Sequence, residues 1–138
     1  MKRGFAASAL LLILAGCQTT DRLPLAPLPP EGQPVTYGEL YQRARRQTEL
    51  ANAAFYDDRW GELSDIASGL VRTAKYMTKA TEVPAGQKDT LPERVGDLGK
   101  EADKLREAAT ARQVNVKEVT NIMQRITLKI RELKPQEK

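Results

Sequence analysis

Four stretches of this chain repeat apolar or small residues at alternating steps of three and four, and this pattern limits the fold more than any other feature. An α-helix turns once every 3.6 residues, so such steps place the repeated residues along one helix face. The stretches run over 37–55, 60–77, 91–109 and 116–133. Each predicted helix therefore carries one apolar face that must be buried against the others, which predicts an all-α fold.

The ends of these helices carry signals of their own. Three starts show a capping-box pattern, in which a small polar residue is followed three positions later by glutamate. The boxes are Thr36 with Glu39, Thr90 with Glu93, and Asn115 with Glu118. Asp57-Asp58 is expected to end the first helix and to cap the second. The predicted helices span 37–56, 58–80, 91–111 and 116–134.

The breaks between the predicted helices are short, which favours antiparallel neighbours. They lie around 56–58, 81–90 and 112–115. The sequence therefore predicts an up-down-up-down four-helix bundle over residues 36–138. An alternative is a pair of helical hairpins that complete their cores only in a homodimer, because the longest break separates two similar halves.

The first 17 residues have the organisation of an export signal. Lys2 and Arg3 give a positive start, and the apolar run 5–14 is shorter than the about 20 residues that a membrane span needs. The run leads into Leu14-Ala15-Gly16-Cys17, which resembles the lipobox of bacterial lipoprotein precursors. The resemblance implies that residues 1–16 are a signal peptide removed before Cys17. It also implies that the Cys17 thiol receives a diacylglycerol and that the new amine is acylated, palmitate being the typical chain.

The lipobox also implies a location. A lipid on Cys17 would hold the chain at a membrane of the cell envelope. In this family an aspartate after the cysteine favours the inner membrane, and this chain has Gln18 there, which implies the periplasmic face of the outer membrane. Cys17 is the only cysteine of the sequence, so the chain forms no intramolecular disulfide.

Residues 17–35 lie between this anchor and the first helix. Five of them are proline, and apolar residues recur neither at the two-residue period of a strand nor at the 3.6-residue period of a helix. The sequence therefore predicts a disordered tether rich in polyproline II. Fully extended, residues 18–35 would reach roughly 55 Å. An alternative is a proline-rich ligand, which the spacing of Pro24 and Pro27 permits. The leucines at 23, 25 and 28 are also candidates to lie on the domain or on the bilayer.

The composition excludes several classes of function. The sequence has 22 basic and 18 acidic side chains, and loss of Lys2 and Arg3 with the signal leaves a net charge of only +2. Such a balance argues against nucleic-acid binding. The sequence has no histidine, the commonest general base and metal ligand. We therefore expect neither an enzyme nor a resident cofactor or metal.

The predicted domain also resembles the periplasmic four-helix cytochromes, cytochrome c-prime and its b-type relatives. The resemblance is carried by Asp57-Asp58-Arg59-Trp60 and by the passage from Ala108-Ala109 to Val119. It implies a haem-attachment motif near residues 127–131, where this chain has Thr-Leu-Lys-Ile-Arg and none of the ligating residues. The resemblance thus implies a module without haem. We expect Met77 and Met123, which lie on the apolar faces, to pack in the core.

Three clusters remain as candidate sites. The first consists of carboxylates at the start of the second helix, where they suit the helix dipole better than a metal ion. The second consists of closely spaced arginines on the first helix, either a solvated face or a contact with anionic lipid or glycan. The third is aromatic and suits core filling better than a small apolar pocket. The acidic cluster is Asp57, Asp58, Glu62 and Asp65. The arginine cluster is Arg43, Arg45 and Arg46. The aromatic cluster is Tyr37, Tyr41, Phe55, Tyr56 and Trp60.

The sequence therefore predicts a lipid-anchored, non-enzymatic protein of the cell envelope. Its helical bundle would contact another protein or support the envelope, with a homodimer as one form of partner. The alternative is a small-ligand carrier or a cytochrome-like module that lacks haem.

Overall fold

The structure, a computed structural model, describes residues 25–136 of the 138-residue chain. The predicted signal peptide and Cys17 lie outside the described residues. The described part is an all-α bundle of four helices, α1 (Tyr37–Tyr56), α2 (Trp60–Met77), α3 (Leu91–Thr110) and α4 (Val116–Glu132). A short 3₁₀ turn, Ala85–Gln87, lies in the connection between α2 and α3.

The helices run up-down-up-down, as the sequence predicted. Tyr37 at the start of α1 bonds to Leu133 just after α4, and Lys129 of α4 pairs with Asp97 of α3. Each helix packs on the next in sequence, most extensively α2 on α3, and α4 closes the ring with a smaller contact to α1. The two hairpins therefore complete one core within a single chain, and the homodimer alternative is not needed to bury their faces.

The predicted apolar faces form the core. All six repeated positions of α3, from Leu91 to Ala109, are at most 5 % exposed. Leu63, Leu98 and Leu105 are among the fully buried side chains, and burial of one such side chain contributes roughly 1.5–3 kcal/mol. Met77 and Met123 are buried in this core, which is the packing position predicted for them.

Three positions of the predicted faces differ from the structure, because Val116 is exposed and Phe55 and Trp60 are only partly buried. Val116 is 53 % exposed, because it is the first residue of α4 and projects beyond the packed part of the bundle. Phe55 is only partly buried, and Ala54 takes the core position beside it. The fourth face is also wider than predicted, since Ile122 is 2 % exposed.

The helix caps follow the predictions in part. Thr36 and Glu39 form the predicted capping box of α1, and Asn115 accepts a hydrogen bond from the Glu118 amide at 3.1 Å. The predicted box at Thr90 is wrong, because the turn before α3 is already helical at this residue. Its hydroxyl instead faces the Gln87 carbonyl oxygen, 3.4 Å away.

The junction of α1 and α2 also differs from the prediction. Asp57-Asp58 ends α1 as expected, but α2 begins at Trp60 with Arg59 in the cap position and no side-chain cap. Asp58 has a φ of 54°, and the amides of Asp58 and Arg59 donate back to the Phe55 and Ala54 carbonyls. These bonds form a Schellman motif, which uses the aspartates to terminate α1 and leaves neither of them to cap α2.

One buried polar contact joins α1 to α2. Gln47 and Thr73 are 3 % and 0 % exposed, and the Thr73 hydroxyl donates to Gln47 Oε1 at 2.9 Å. Glycine at position 69 leaves room for this contact, since a Cβ there would lie 2.9 Å from Gln47 Nε2 and the amide would have to shift. Gly69 therefore has a packing role, whereas Gly61 and Gly96 face open space.

We predict that Gly69→Ala and Gly96→Ala change stability in opposite directions. Alanine is favoured over glycine in a helix by about 1 kcal/mol, so Gly96→Ala should raise the free energy of unfolding. Gly69→Ala should lower it by about 1 kcal/mol or more, because the new methyl group displaces a buried amide from its partner. Chemical denaturation followed by circular dichroism measures both. Equal stabilisation by the two variants would contradict the packing role of Gly69.

Candidate functional site

The N-terminal part of the described chain lies on the bundle. We call residues 25–35 the strap. Arg43 of α1 donates to the Ala26 carbonyl, and the Tyr76 hydroxyl of α2 donates to the Pro29 carbonyl at 2.9 Å. Leu28 and Val35 pack against the core cluster. The strap therefore crosses both helices, and the disordered tether predicted for 17–35 has a seated part from residue 25 onward. Residues 17–24 lie outside the described part.

A parallel bridge fixes the C-terminal end of the strap. The Thr81 amide donates to the Val35 carbonyl at 2.9 Å, and the Tyr37 amide donates to the Thr81 carbonyl at 2.8 Å. Thr81 follows α2, so the bridge joins the start of α1 to the end of α2. The strap is thus held at both ends, by side chains near residue 26 and by backbone bonds at residue 35.

A groove lies between the strap and the C-terminal half of α2. Its volume is about 720 Å³, within the range of small-molecule sites. Val35 and Tyr76 give it apolar surface, and Arg72, Lys75 and Lys79 line it from α2 and the turn that follows. We call it the strap groove. Glu31 is the carboxylate that lines it on the other side.

The three cations of the strap groove form what we call the cationic stripe: Arg72, Lys75 and Lys79. Their spacing of three and four residues is the helix spacing, and all three side chains are exposed. Within residues 25–136, none of the three has a carboxylate within ion-pair distance. The helix dipole favours a cation in the last turn of α2, which accounts for Lys75 but not for Arg72.

Arg43 lies against the same surface. Burial and the nearby charge of Arg72 lower the pKa of the Arg43 guanidinium below its usual range. Its Nε is buried and has no hydrogen-bond partner among the described residues. The positive charge of the α1/α2 side is therefore continuous from Arg43 to the cationic stripe.

The predicted arginine patch divides into two parts. Arg45 and Arg46 both pair with Glu49, at 3.5 and 3.1 Å, on the exposed surface of α1. Arg43 points instead to the strap. The sequence therefore located a basic surface on α1 but missed its extension by the cationic stripe, which the spacing of positions 72, 75 and 79 would have revealed.

Ion pairs neutralise several charges in the middle of the opposite side of the bundle. Glu101 of α3 accepts hydrogen bonds from Lys104 at 2.9 Å and from Arg125 at 2.7 Å. Although burial alone raises the pKa of Glu101, these two bonds bring it below its ordinary value. Lys129 similarly lies 3.4 Å from Asp97 and 3.5 Å from Glu132. Paired charges cover the middle of the α3/α4 side, in contrast to the cationic stripe.

The structure separates the predicted acidic cluster. Asp57 pairs with Arg59 at 3.0 Å, and Arg59 also bonds to Glu62. Asp58 occupies the left-handed turn position, and Asp65 is exposed on α2. Among residues 25–136, no group of three or more metal-ligating side chains comes together. At the α1–α2 turn, Asp57 and Glu62 therefore neutralise the charge of Arg59, and Asp58 provides the left-handed turn residue.

The five predicted aromatic residues lie at opposite ends of the bundle. Tyr37 and Tyr41 are buried near the strap, and burial raises the pKa of Tyr37 to about 12. At the other end Phe55 packs edge-on against Tyr56 and Trp60, with ring centroids 5.6 and 5.8 Å apart. They therefore do not line one pocket. We call Phe55, Tyr56 and Trp60 the aromatic pole, where Tyr56 is 81 % exposed.

Comparisons with protein-family models, with curated proteins and with solved structures found no match. None of the helices within 25–136 has the length and hydrophobicity needed to cross a membrane. The lipobox and the cytochrome resemblance therefore remain predictions from the sequence.

We predict that removal of the two side-chain bonds releases the strap. Tyr76→Phe combined with Arg43→Gln removes the donors to Pro29 and Ala26. Each bond contributes about 1 kcal/mol, so the open fraction should rise about tenfold or more. A glutamate-specific protease measures it as the rate of cleavage after Glu31, followed by mass spectrometry.

The matched control is Tyr56→Phe combined with Arg45→Gln. It changes the same residue types at exposed positions that do not contact the strap. Cleavage after Glu31 should stay at the rate of the unchanged protein in this control. Equal rates in the two double variants would show that the side-chain bonds do not hold the strap.

Proposed function

We propose that the protein is a lipid-anchored, non-enzymatic component of the cell envelope that presents a four-helix bundle for contact with another protein. The observation that carries the proposal is the lipobox Leu14-Ala15-Gly16-Cys17, and only seven residues lie between it and the seated strap. Processing would leave Cys17 as the first residue. Two or three acyl chains there would give stable attachment, whereas one chain gives marginal attachment.

The proposed location follows from the same residues. Export implies the cell envelope, and Gln18 after the lipidated cysteine favours the periplasmic face of the outer membrane. The seated strap refines how the bundle would be displayed. Part of the tether is taken up against α1 and α2, so the bundle would be held nearer the membrane than the extended tether allows.

The aromatic pole supports a protein partner. Exposed tyrosine and tryptophan residues are enriched at protein interfaces, because they combine a large apolar surface with a polar group. Val116, the first residue of α4, lies at the same end of the bundle and is also exposed, at 53 %. A second copy of the chain is one form that this partner can take.

A second candidate function is a small-ligand carrier, and the strap groove favours it. Its volume and its mixture of apolar and charged lining suit a small anionic molecule. Native mass spectrometry of the purified protein distinguishes the two functions. A stoichiometric small molecule that is lost on removal of the strap would support the carrier, and a clean chain mass supports the partner-binding role.

We predict that Cys17→Ala abolishes membrane attachment. The substitution removes the thiol that would carry the lipid, so the chain should be released from membranes by alkaline carbonate, whereas the unchanged protein should float with them. Mass spectrometry should also show that the variant retains residues 1–16.

Ser8→Ala serves as the control, because it lies in the apolar run and leaves the four lipobox residues intact. Processing and attachment should be unchanged in it. If Cys17→Ala were cleaved and floated like the unchanged protein, the lipid anchor would be ruled out.

We predict a partner contact at the aromatic pole. A photoreactive phenylalanine analogue at position 56 should form a covalent adduct in intact cells, whereas the same analogue at the exposed position 124 of α4 should form little. An adduct of twice the chain mass identifies a homodimer, and any other mass identifies a different protein. Equal yields at the two positions would contradict a specific contact at the pole.

A further inference from the structure

The cationic stripe has charge that the protein itself does not neutralise. Arg72, Lys75 and Lys79 have no ion pair within residues 25–136, and the strap groove that they line contains the single carboxylate of Glu31. In the middle of the α3/α4 side, by contrast, Lys104, Arg125 and Lys129 each pair with a carboxylate. The stripe is therefore a surface suited to an external anion.

The path of the chain places this surface beside the proposed anchor. The first described residue, Leu25, is next to Ala26, whose carbonyl accepts a bond from Arg43. The chain thus reaches the bundle on its α1/α2 side and not at either end. Seven residues separate Cys17 from Leu25, and the eight steps along the chain span at most about 28 Å. This is about the length of the 18-residue helix α2.

We propose that the cationic stripe lies against a membrane surface of anionic phospholipids, so that the bundle rests on its α1/α2 side. The inference rests on the proposed anchor at Cys17, which supplies the membrane, and adds an orientation and a lipid charge. Each basic residue near an anionic surface strengthens binding about fivefold. The attraction extends about 8 Å at physiological salt, and the short linker would raise the local concentration of the stripe at the membrane without being required for binding.

The orientation assigns different roles to the sides of the bundle. With the α1/α2 side down, the ion-paired α3/α4 side faces away from the lipid. The aromatic pole at the end of α1 then lies to the side, free to meet a partner at the same membrane. Arg43 adds its charge beneath the strap, where it also holds the Ala26 carbonyl.

The test uses the chain from residue 17 with Cys17→Ala, which keeps every described residue and carries no lipid. Binding to vesicles of phosphatidylcholine is compared by flotation with binding to vesicles that also contain phosphatidylglycerol. We expect binding to the anionic vesicles only, with loss at high salt. Arg72→Gln, Lys75→Gln and Lys79→Gln together should weaken it about 100-fold, at about fivefold per charge.

The control variant is Arg112→Gln with Lys117→Gln and Lys134→Gln. It removes the same number of exposed, unpaired cations from the α3–α4 hairpin and its C-terminal end. The affinity of this variant for anionic vesicles should stay within a few-fold of the affinity of the chain that keeps all six cations. All six positions are exposed, so both variants should keep the helical circular dichroism spectrum.

A second measurement tests the orientation. In the Cys17→Ala chain an introduced cysteine is the only thiol, so a polarity-sensitive fluorophore can be placed at Thr78→Cys in the strap groove or at Gln124→Cys on α4. Anionic vesicles should shift the emission of the probe at 78 to the blue and leave the probe at 124 unchanged.

Several results would overturn the proposal: no binding to anionic vesicles, equal binding to neutral ones, or equal loss in the two triple variants. Tight binding of inorganic phosphate without vesicle binding would also overturn it and assign the stripe to a small anion. Because this chain carries no lipid, these outcomes are independent of the anchor. The anchor is tested separately, by whether full-length Cys17→Ala is processed and floats with membranes in cells.

Discussion

The hydrogen bonds at the start of α1 connect the parts of the molecule on which the rest of the structure depends. The Tyr37 amide donates to Thr81, the Thr81 amide donates to Val35, and the Tyr37 hydroxyl donates to the Leu133 carbonyl at 2.5 Å. The strap, the end of α2 and the end of α4 therefore meet around one residue. Because α1 has a smaller contact with α4 than with α2, this corner closes the bundle. Tyr37 is only 1 % exposed, and burial of its hydroxyl without such an acceptor would be costly.

Much of the fold could be predicted because helix formation and burial depend on local sequence period. The apolar residues from Leu91 to Ala109 predicted α3 to within one residue at its C-terminal end. The sequence could not show that Gln47 and Thr73 would be buried together, because their contact joins two helices and lies against Gly69, where a side chain would crowd the Gln47 amide. The prediction for the aspartates after Tyr56 is right for the end of α1 and wrong for the cap of α2, for a related reason. An aspartate at such a junction suits either a helix end or a helix start, and the Schellman bonds decide between them.

The strap and its groove were harder to predict than the helices. Proline-rich segments have no apolar period, and this one is held mainly through its carbonyl groups, which every residue has. The side chains that hold it, Arg43 and Tyr76, lie on different helices, and no sequence pattern connects them. Arg43 belongs to the predicted arginine patch, and Tyr76 is not among the candidate residues. The net charge was equally uninformative. A balance of acids and bases does not show which cations have ion pairs, such as Lys104 and Arg125 with Glu101, and which have none, such as those of the cationic stripe.

The direction of the strap has a mechanical consequence. Residue 26 lies beside Arg43 within α1, whereas residue 35 lies at the start of that helix, so the strap runs antiparallel to α1. A force that pulls on the chain before Leu25 therefore reaches the Ala26 contact first, then the Pro29 contact, and the backbone bridge at Val35 last. Bonds loaded one after another peel apart at lower force than bonds loaded together. Under tension the strap would lengthen the linker in steps, while the four helices stay folded behind the bridge.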